Sequence, residues 1–204
     1  MRLLIGLVLS AAVVLALLGC GSGSHSGSTS SASLTISDYV VRGGEETGYR
    51  PAGVAQVAHT VAASEVGNPN ANADEKRLTS EGFVQGASVD TNGADGAVGR
   101  SSVTELGSPA AAAREQQASV REAALEQRGA AVSHFTAAGI PGSTGILAPA
   151  APGGQSTANL YFREGRCALW VGDETSKPNY RAAVIAAARA IYARTNGKKG
   201  PCTG

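Results

Sequence analysis

Histidine, cysteine and aromatic side chains are all scarce in this chain of 204 residues, which has three His, three Cys, one Trp, three Phe and five Tyr. Each shortage closes off a class of chemistry. His25 lies in a Gly/Ser stretch, so His59 and His134 alone remain as general bases for a folded part. They stand far apart in the chain, and no Cys-x-x-Cys accompanies them, which leaves zinc without local ligands. Gly142-Ser143-Thr144-Gly145 comes nearest to a nucleophile elbow, but its spacing is wrong and it falls between two expected strands. Asp90–Gly96 departs from a calcium loop, with Ala94 at the third liganding position and Asp95 where glycine belongs. Asn92-Gly93 and Asp95-Gly96 therefore read as turns. Gly197-Lys198-Lys199 lacks the upstream glycine and the hydroxyl of a phosphate loop. No metal, no cofactor and no catalytic residue is expected.

Net charge is small as well, with 17 basic against 16 acidic side chains. Arg2 belongs to an apolar leader, and without it the two signs balance. A balanced surface excludes nucleic acid as a partner, because phosphate contacts need concentrated basic charge. It also excludes polybasic attachment to lipid headgroups. Glu164 and Arg166, with Asp173 and Glu174, are the charges that could line a polar site, although charges at turns are ordinarily solvated.

What the sequence does have is a long uncharged run, Leu3–Leu18, interrupted only by Ser10. At 16 residues it exceeds the usual core of a signal peptide and falls short of the ~20 needed to span a bilayer. Leu17-Leu18-Gly19-Cys20 closes it, and no basic stop-transfer cluster follows. These four residues resemble the lipobox of bacterial lipoproteins. The resemblance implies a signal peptide over residues 1–19, a diacylglyceryl thioether on Cys20, and a protein held at the outer face of the cell membrane by that lipid. Two acyl chains anchor durably where one does not. Gly21–Ser33 contains only Gly, Ser, Ala, Thr and His25, so residues 20–33 read as a lipidated Cys and flexible tether with a mean reach of about 20 Å.

With Cys20 used by the lipobox, Cys167 and Cys202 remain as an even pair in an oxidising compartment. A disulfide between them would close a loop of about 36 residues and contribute roughly 3–4 kcal/mol in the chain-entropy model. Two free thiols or a metal pair are the alternatives, but neither Cys has a His or Cys at ligand spacing.

Residues 34–204 suffice for one domain. Leu34–Val41 alternates as a strand, and Val54, Val57, Ala58 and Val61 mark a short helix. Asn68-Pro69-Asn70 ends that helix. Asn72 with Glu75 resembles a capping box, opening a helix over Ala73–Glu81 that stops at Gly82. Strands follow at Phe83–Asp90 and Arg100–Leu106. Ser108-Pro109 starts a helix running to about Arg128 and stopping at Gly129, with Ala113, Val120 and Ala124 as its buried stripe. Ala131–Thr136 and Thr144–Leu147 are further strands, and Ala148–Gln155 is a loop. Asn159–Arg163 and Cys167–Val171 flank a Gly-containing turn as a hairpin. Tyr180–Thr195 is the last helix, with Val184, Ala187, Ala188, Ile191 and Tyr192 on one apolar face and Arg181, Arg189 and Arg194 in solvent.

Strand, strand, helix thus occurs twice, which suggests two related halves. The expected fold class is α+β, a mainly antiparallel sheet with helices packed on one side. This layout, with Glu81-Gly82-Phe83, Ile140-Pro141-Gly142 and Glu164-Gly165-Arg166-Cys167, resembles uncharacterised actinobacterial lipoproteins. By elimination the leading function is a non-enzymatic binding or sensor-type envelope domain for an unknown protein or small-molecule ligand. An envelope hydrolase using a Ser or His/acid site, and a carrier of an apolar ligand, are the alternatives.

Overall fold

Leu160, Tyr161 and Phe162 are consecutive on one strand and all buried, at 0%, 7% and 0% exposure. Neighbouring residues of a strand point to opposite faces, so this run requires cover on both sides of the sheet. The structure, a computed structural model, describes residues 33–65, 71–127, 131–149, 155–175 and 180–203. The leader, Cys20, most of the tether, Asn68-Pro69-Asn70, the helix stop at Gly129 and most of the 148–155 loop lie outside them.

The strands are β1 (Tyr49–Pro51), β2 (Gln56–Ala58), β3 (Gln85–Gly93), β4 (Val98–Glu105), β5 (Ser133–Phe135), β6 (Thr144–Ala148), β7 (Ser156–Glu164) and β8 (Cys167–Thr175). They form one sheet in the order β1-β3-β4-β8-β7-β6-β5, with β2 also paired to β3, and every pairing is antiparallel. The helices are α1 (Val61–Ser64), α2 (Ala71–Ser80), α3 (Pro109–Glu126) and α4 (Tyr180–Thr195). An α+β protein with a mainly antiparallel sheet is what the sequence predicts.

The helices do not gather on one side. Val184, Ala187, Ala188 and Ile191 of α4 pack with Leu160, Phe162, Leu169 and Val171. Ala123 of α3 packs with Ile146 and Tyr161, and Val120 and Trp170 join that cluster. Leu160 pairs with Val171 and Tyr161 with Trp170, so the two clusters occupy opposite faces. Each large side chain buried there contributes roughly 1.5–3 kcal/mol. The strand–strand–helix order does repeat, as β3-β4-α3 and β7-β8-α4. A two-fold normal to the sheet would nevertheless put both helices on one face, so the two units are not symmetric copies in space.

Local chemistry accounts for most boundaries. Ser108 Oγ accepts from Ala111 N at 3.1 Å and Pro109 occupies the first helical position of α3. Between β7 and β8 the turn is Gly165-Arg166. Gly165 has φ +50°, and a Cβ there would meet Cys202 O at 1.9 Å, so only glycine fits. Leu34–Val41 is not a strand: Ile36–Tyr39 is a turn of 3₁₀ helix, with Thr35 N donating to Asp38 Oδ2 at 2.7 Å. The expected helix over Val54–Val61 is instead β2 followed by α1, capped where Ala63 N donates to Thr60 Oγ1 at 3.2 Å. Cys167 is disulfide-bonded to Cys202, which fastens the C-terminal tail to the start of β8. The chain enters the domain at the same end, where Leu34 N donates to Lys199 O at 2.9 Å.

Candidate functional site

On the α3 side of the sheet, α3 covers β6, β7 and part of β8 and leaves the outward residues of β3 and β4 open. A groove runs between the helix and those open strands. Towards Asn92, Val98 and Glu174 it forms a cavity of about 530 Å³. Towards α2 it continues as a shallower cavity of about 400 Å³, reaching Arg77, Ser102 and Glu115. Arg100, Ala123, Glu126, Tyr161 and Trp170 line both parts, so the two are one continuous depression.

Trp170, the single tryptophan of the chain, forms its floor. The indole N–H donates to Asn159 Oδ1 at 2.9 Å, and the ring stacks on Tyr161 with centroids 6.5 Å apart and planes at 18°. A Cβ on Gly172 would meet the indole at 2.4 Å, so the ring lies flat over a residue without a side chain. The wall supplied by α3 is acidic. Burial pushes the Glu122 carboxyl above its ordinary value, against the pull of Arg77. Arg77 pairs with Asp74 at 2.5 Å, with Glu115, and with Glu122 at 3.6 Å. On the sheet side Arg100 Nε donates to Asp90 Oδ1 at 2.6 Å, both side chains being half exposed. The described guanidinium groups of the groove are thus committed to carboxylates, whereas Glu126 faces Tyr161 and, with Glu122, helps hold the phenol protonated, burial being the larger cause.

Beneath the same strand positions, on the α4 side, lies a second polar cluster. Thr91 Oγ1 donates to Glu46 Oε2 at 2.7 Å, and Tyr49 Oη donates to Asp173 Oδ1. Burial lifts the Glu46 carboxyl to about 7 and the Asp173 carboxyl to about 6. At the opposite end of β7, Glu164 accepts from Thr195 Oγ1 at 2.6 Å, and burial raises it to about 7.

The residues singled out in the sequence fall in different places. Glu164 and Asp173 are buried rather than solvated turn charges. Arg166 pairs with Glu105 at 2.5 Å and donates to Pro201 O at 2.9 Å, holding the disulfide end. Glu174 reaches the groove mouth. His59 and His134 are both exposed, and neither lines the groove. Sequence reasoning passed over Trp170, Asn159, Tyr161, Glu122, Glu126 and Glu46. For Tyr161 and Trp170 a signal exists: three consecutive large residues at 160–162 betray a strand covered twice, and Trp170 stands two before a glycine on the strand paired to it. No spacing announces Glu46, which comes from a distant loop.

No family model and no curated protein matches the chain. Among solved structures, its fold is similar to the extracellular domain of PknH from Mycobacterium tuberculosis, with a TM-score of 0.50 and 8% identity. That similarity covers 78% of this chain and 95% of the other. At such identity the likeness is one of fold.

Proposed function

We propose that this chain is an extracytoplasmic lipoprotein, acylated on Cys20, whose domain is a non-enzymatic binding or sensor module taking a small ligand in the groove over Trp170. The observation that carries the reading is the groove itself. An indole fixed by Asn159 and backed by Tyr161 offers a flat apolar floor, and the carboxylates of α3 stand beside it. Such a site suits a ligand with a planar or apolar part and a cationic group, since both the indole face and the carboxylates attract positive charge. A resemblance in fold to a domain described as extracellular fits the same location.

The ligand site opens at the end of the domain opposite the point where the chain enters it. The chain enters beside Lys199 and the disulfide, at the Cys167 end of β8, whereas the groove mouth is at Glu174. The intervening strand spans about 25 Å. A hydrolase would need a base converging on a nucleophile, and the exposed His59 and His134 stand outside the groove. An apolar carrier fits less well, because charged and hydroxyl side chains line much of the depression.

With one tryptophan in the chain, fluorescence reports on the floor alone. Benzyltrimethylammonium should perturb Trp170 emission saturably, and Glu126→Gln should weaken the response. Equal responses to the cation and to benzyl alcohol would sink the ligand class. Anchorage is tested separately by metabolic labelling with a fatty-acid probe. Wild-type protein should be labelled and Cys20→Ala unlabelled; an unlabelled wild type would remove the lipoprotein reading.

A further inference from the structure

Thr91, Gly99 and Asp173 are cross-strand neighbours on β3, β4 and β8, all facing α4. The central position has no side chain, so the row encloses a pit. Glu46 descends over it from the loop before β1. Its Oε1 lies 3.5 Å from where a Cβ of Gly99 would stand, with Thr91 Oγ1 2.5 Å and Gly172 O 3.0 Å from the same point. Oxygen atoms therefore converge on the pit from two strands and a loop.

Glu46 and Asp173 are only 3% and 2% exposed. One oxygen of each carboxylate accepts from a hydroxyl, Glu46 Oε2 from Thr91 and Asp173 Oδ1 from Tyr49. Glu46 Oε1 and Asp173 Oδ2 are left buried without a hydrogen-bond partner. Buried acceptors of this kind cost on the order of 1–3 kcal/mol each when nothing satisfies them, and more when charged. No basic side chain pairs with either carboxylate among the described residues. A water would satisfy the hydrogen bonds yet leave the pair's negative charge without a counter-charge in a medium of low polarity. One divalent cation answers both needs.

We propose that this pit binds a divalent, oxygen-preferring cation of the calcium class, held by Glu46 Oε1 and Asp173 Oδ2. Calcium tolerates irregular all-oxygen coordination and completes its shell with hydroxyl, carbonyl and water oxygens, whereas magnesium demands near-ideal octahedral geometry. Ion binding would tie the 42–48 loop to β8 directly behind the strand positions that form the groove mouth. The sequence offers no ligand spacing for it because Glu46, Thr91 and Asp173 come from three separate segments.

The test is calorimetric melting of the full chain in EGTA and in calcium chloride, with magnesium chloride as comparison. Free calcium a hundredfold above Kd should raise Tm by roughly 5–10 °C. Glu46→Gln and Asp173→Asn should each abolish the rise, while Glu126→Gln in the groove should keep it. An unchanged wild-type Tm in both salts overturns the proposal. So does a rise that survives in both Glu46→Gln and Asp173→Asn, which would assign the ion to surface carboxylates. If one of those two variants fails to fold, the other still decides. Trp170 fluorescence with the organic cation is a separate measurement, so failure here leaves the groove reading standing or falling by itself.

Discussion

The indole N–H of Trp170 donates to Asn159 Oδ1 at 2.9 Å across the β7–β8 pair, and the ring closes over the bare backbone of Gly172. Gly172→Ala should therefore act on the groove floor before it acts on the fold. The added Cβ would meet the indole at 2.4 Å and Asn159 Oδ1 at 2.6 Å, so the ring must swing out and the hydrogen bond must break. We expect Trp170 emission to shift to longer wavelength, with strand content by far-UV circular dichroism unchanged and a stability loss of about 1–3 kcal/mol. Emission identical to that of the wild type would show that the ring is not seated on Gly172.

The Cys167–Cys202 disulfide holds a tail that also carries the Leu34 contact, through Lys199. Reduction, or the double variant Cys167→Ala with Cys202→Ala, should lower stability by about 3–4 kcal/mol in the chain-entropy model. Urea unfolding of reduced and oxidised protein measures this. The loss should come with faster amide exchange at Leu34, because the start and the end of the domain are secured at one point. Loss of stability without faster exchange at Leu34 would separate the two ends.

How far the sequence exposes this architecture depends on where each signal resides. The helix Tyr180–Thr195 and the hairpin around Gly165 were legible because local features decide them: a one-sided apolar stripe, and a glycine between two β-rich runs. Ser108-Pro109 likewise announces its helix. The buried stripe of α3 was not legible, since the residues it buries include Glu115 and Gln116. Gln116 Nε2 donates to Tyr161 O at 3.1 Å and to Gly142 O at 2.9 Å, and Glu115 pairs with Arg77. Polar side chains satisfied by tertiary partners erase the periodicity on which such a reading rests. Segment 34–41 alternates like a strand yet lies over the sheet, because its apolar residues serve as a lid on the core rather than as a ladder. The candidate site was least visible: its floor depends on strands pairing, and its buried acids come from segments that only the fold brings together.

Glu164 gives the fold a pH dependence whose sign can be fixed. Its carboxyl is buried at 8% exposure and raised to about 7, from an ordinary value of 4.5, by loss of hydration that the Thr195 hydrogen bond only partly offsets. A carboxyl raised in the folded state favours folding when protonated. Its contribution is complete below about 4.5 and is lost as pH rises through about 7. Glu164→Gln keeps the shape and stays neutral, so it should be more stable than wild type at pH 8 by about 2 kcal/mol and nearly equal to it at pH 4. Melting both proteins across that range tests this, and parallel curves would mean that Glu164 does not titrate there.

Arg194 makes the most specific demand on side-chain identity. The sequence places it on the solvated face of α4, yet its side chain is only 15% exposed. Nε donates to Asp38 O at 3.0 Å, Nη2 donates to Val40 O at 2.8 Å, and Nη1 pairs with Glu45. Three partners are met by one planar fork, two of them carbonyls of the segment that leads into the Glu46 loop. Burial lowers the guanidinium to about 10, still far above neutral pH, so the group remains charged in that position. Lysine has the charge but not the fork: its ammonium can sit near Glu45 or near the carbonyls, not on both at this spacing. Arg194→Lys should therefore cost about 1–3 kcal/mol, and Arg194→Met more, because Glu45 then loses its counter-charge. Hydrogen exchange should localise the damage, with protection lost at Val41, whose amide donates to Ser101 Oγ at 3.3 Å, and retained in β7 and β8. A lysine variant as stable and as well protected as the wild type would show that charge alone, rather than the fork, joins the last helix to the start of the domain.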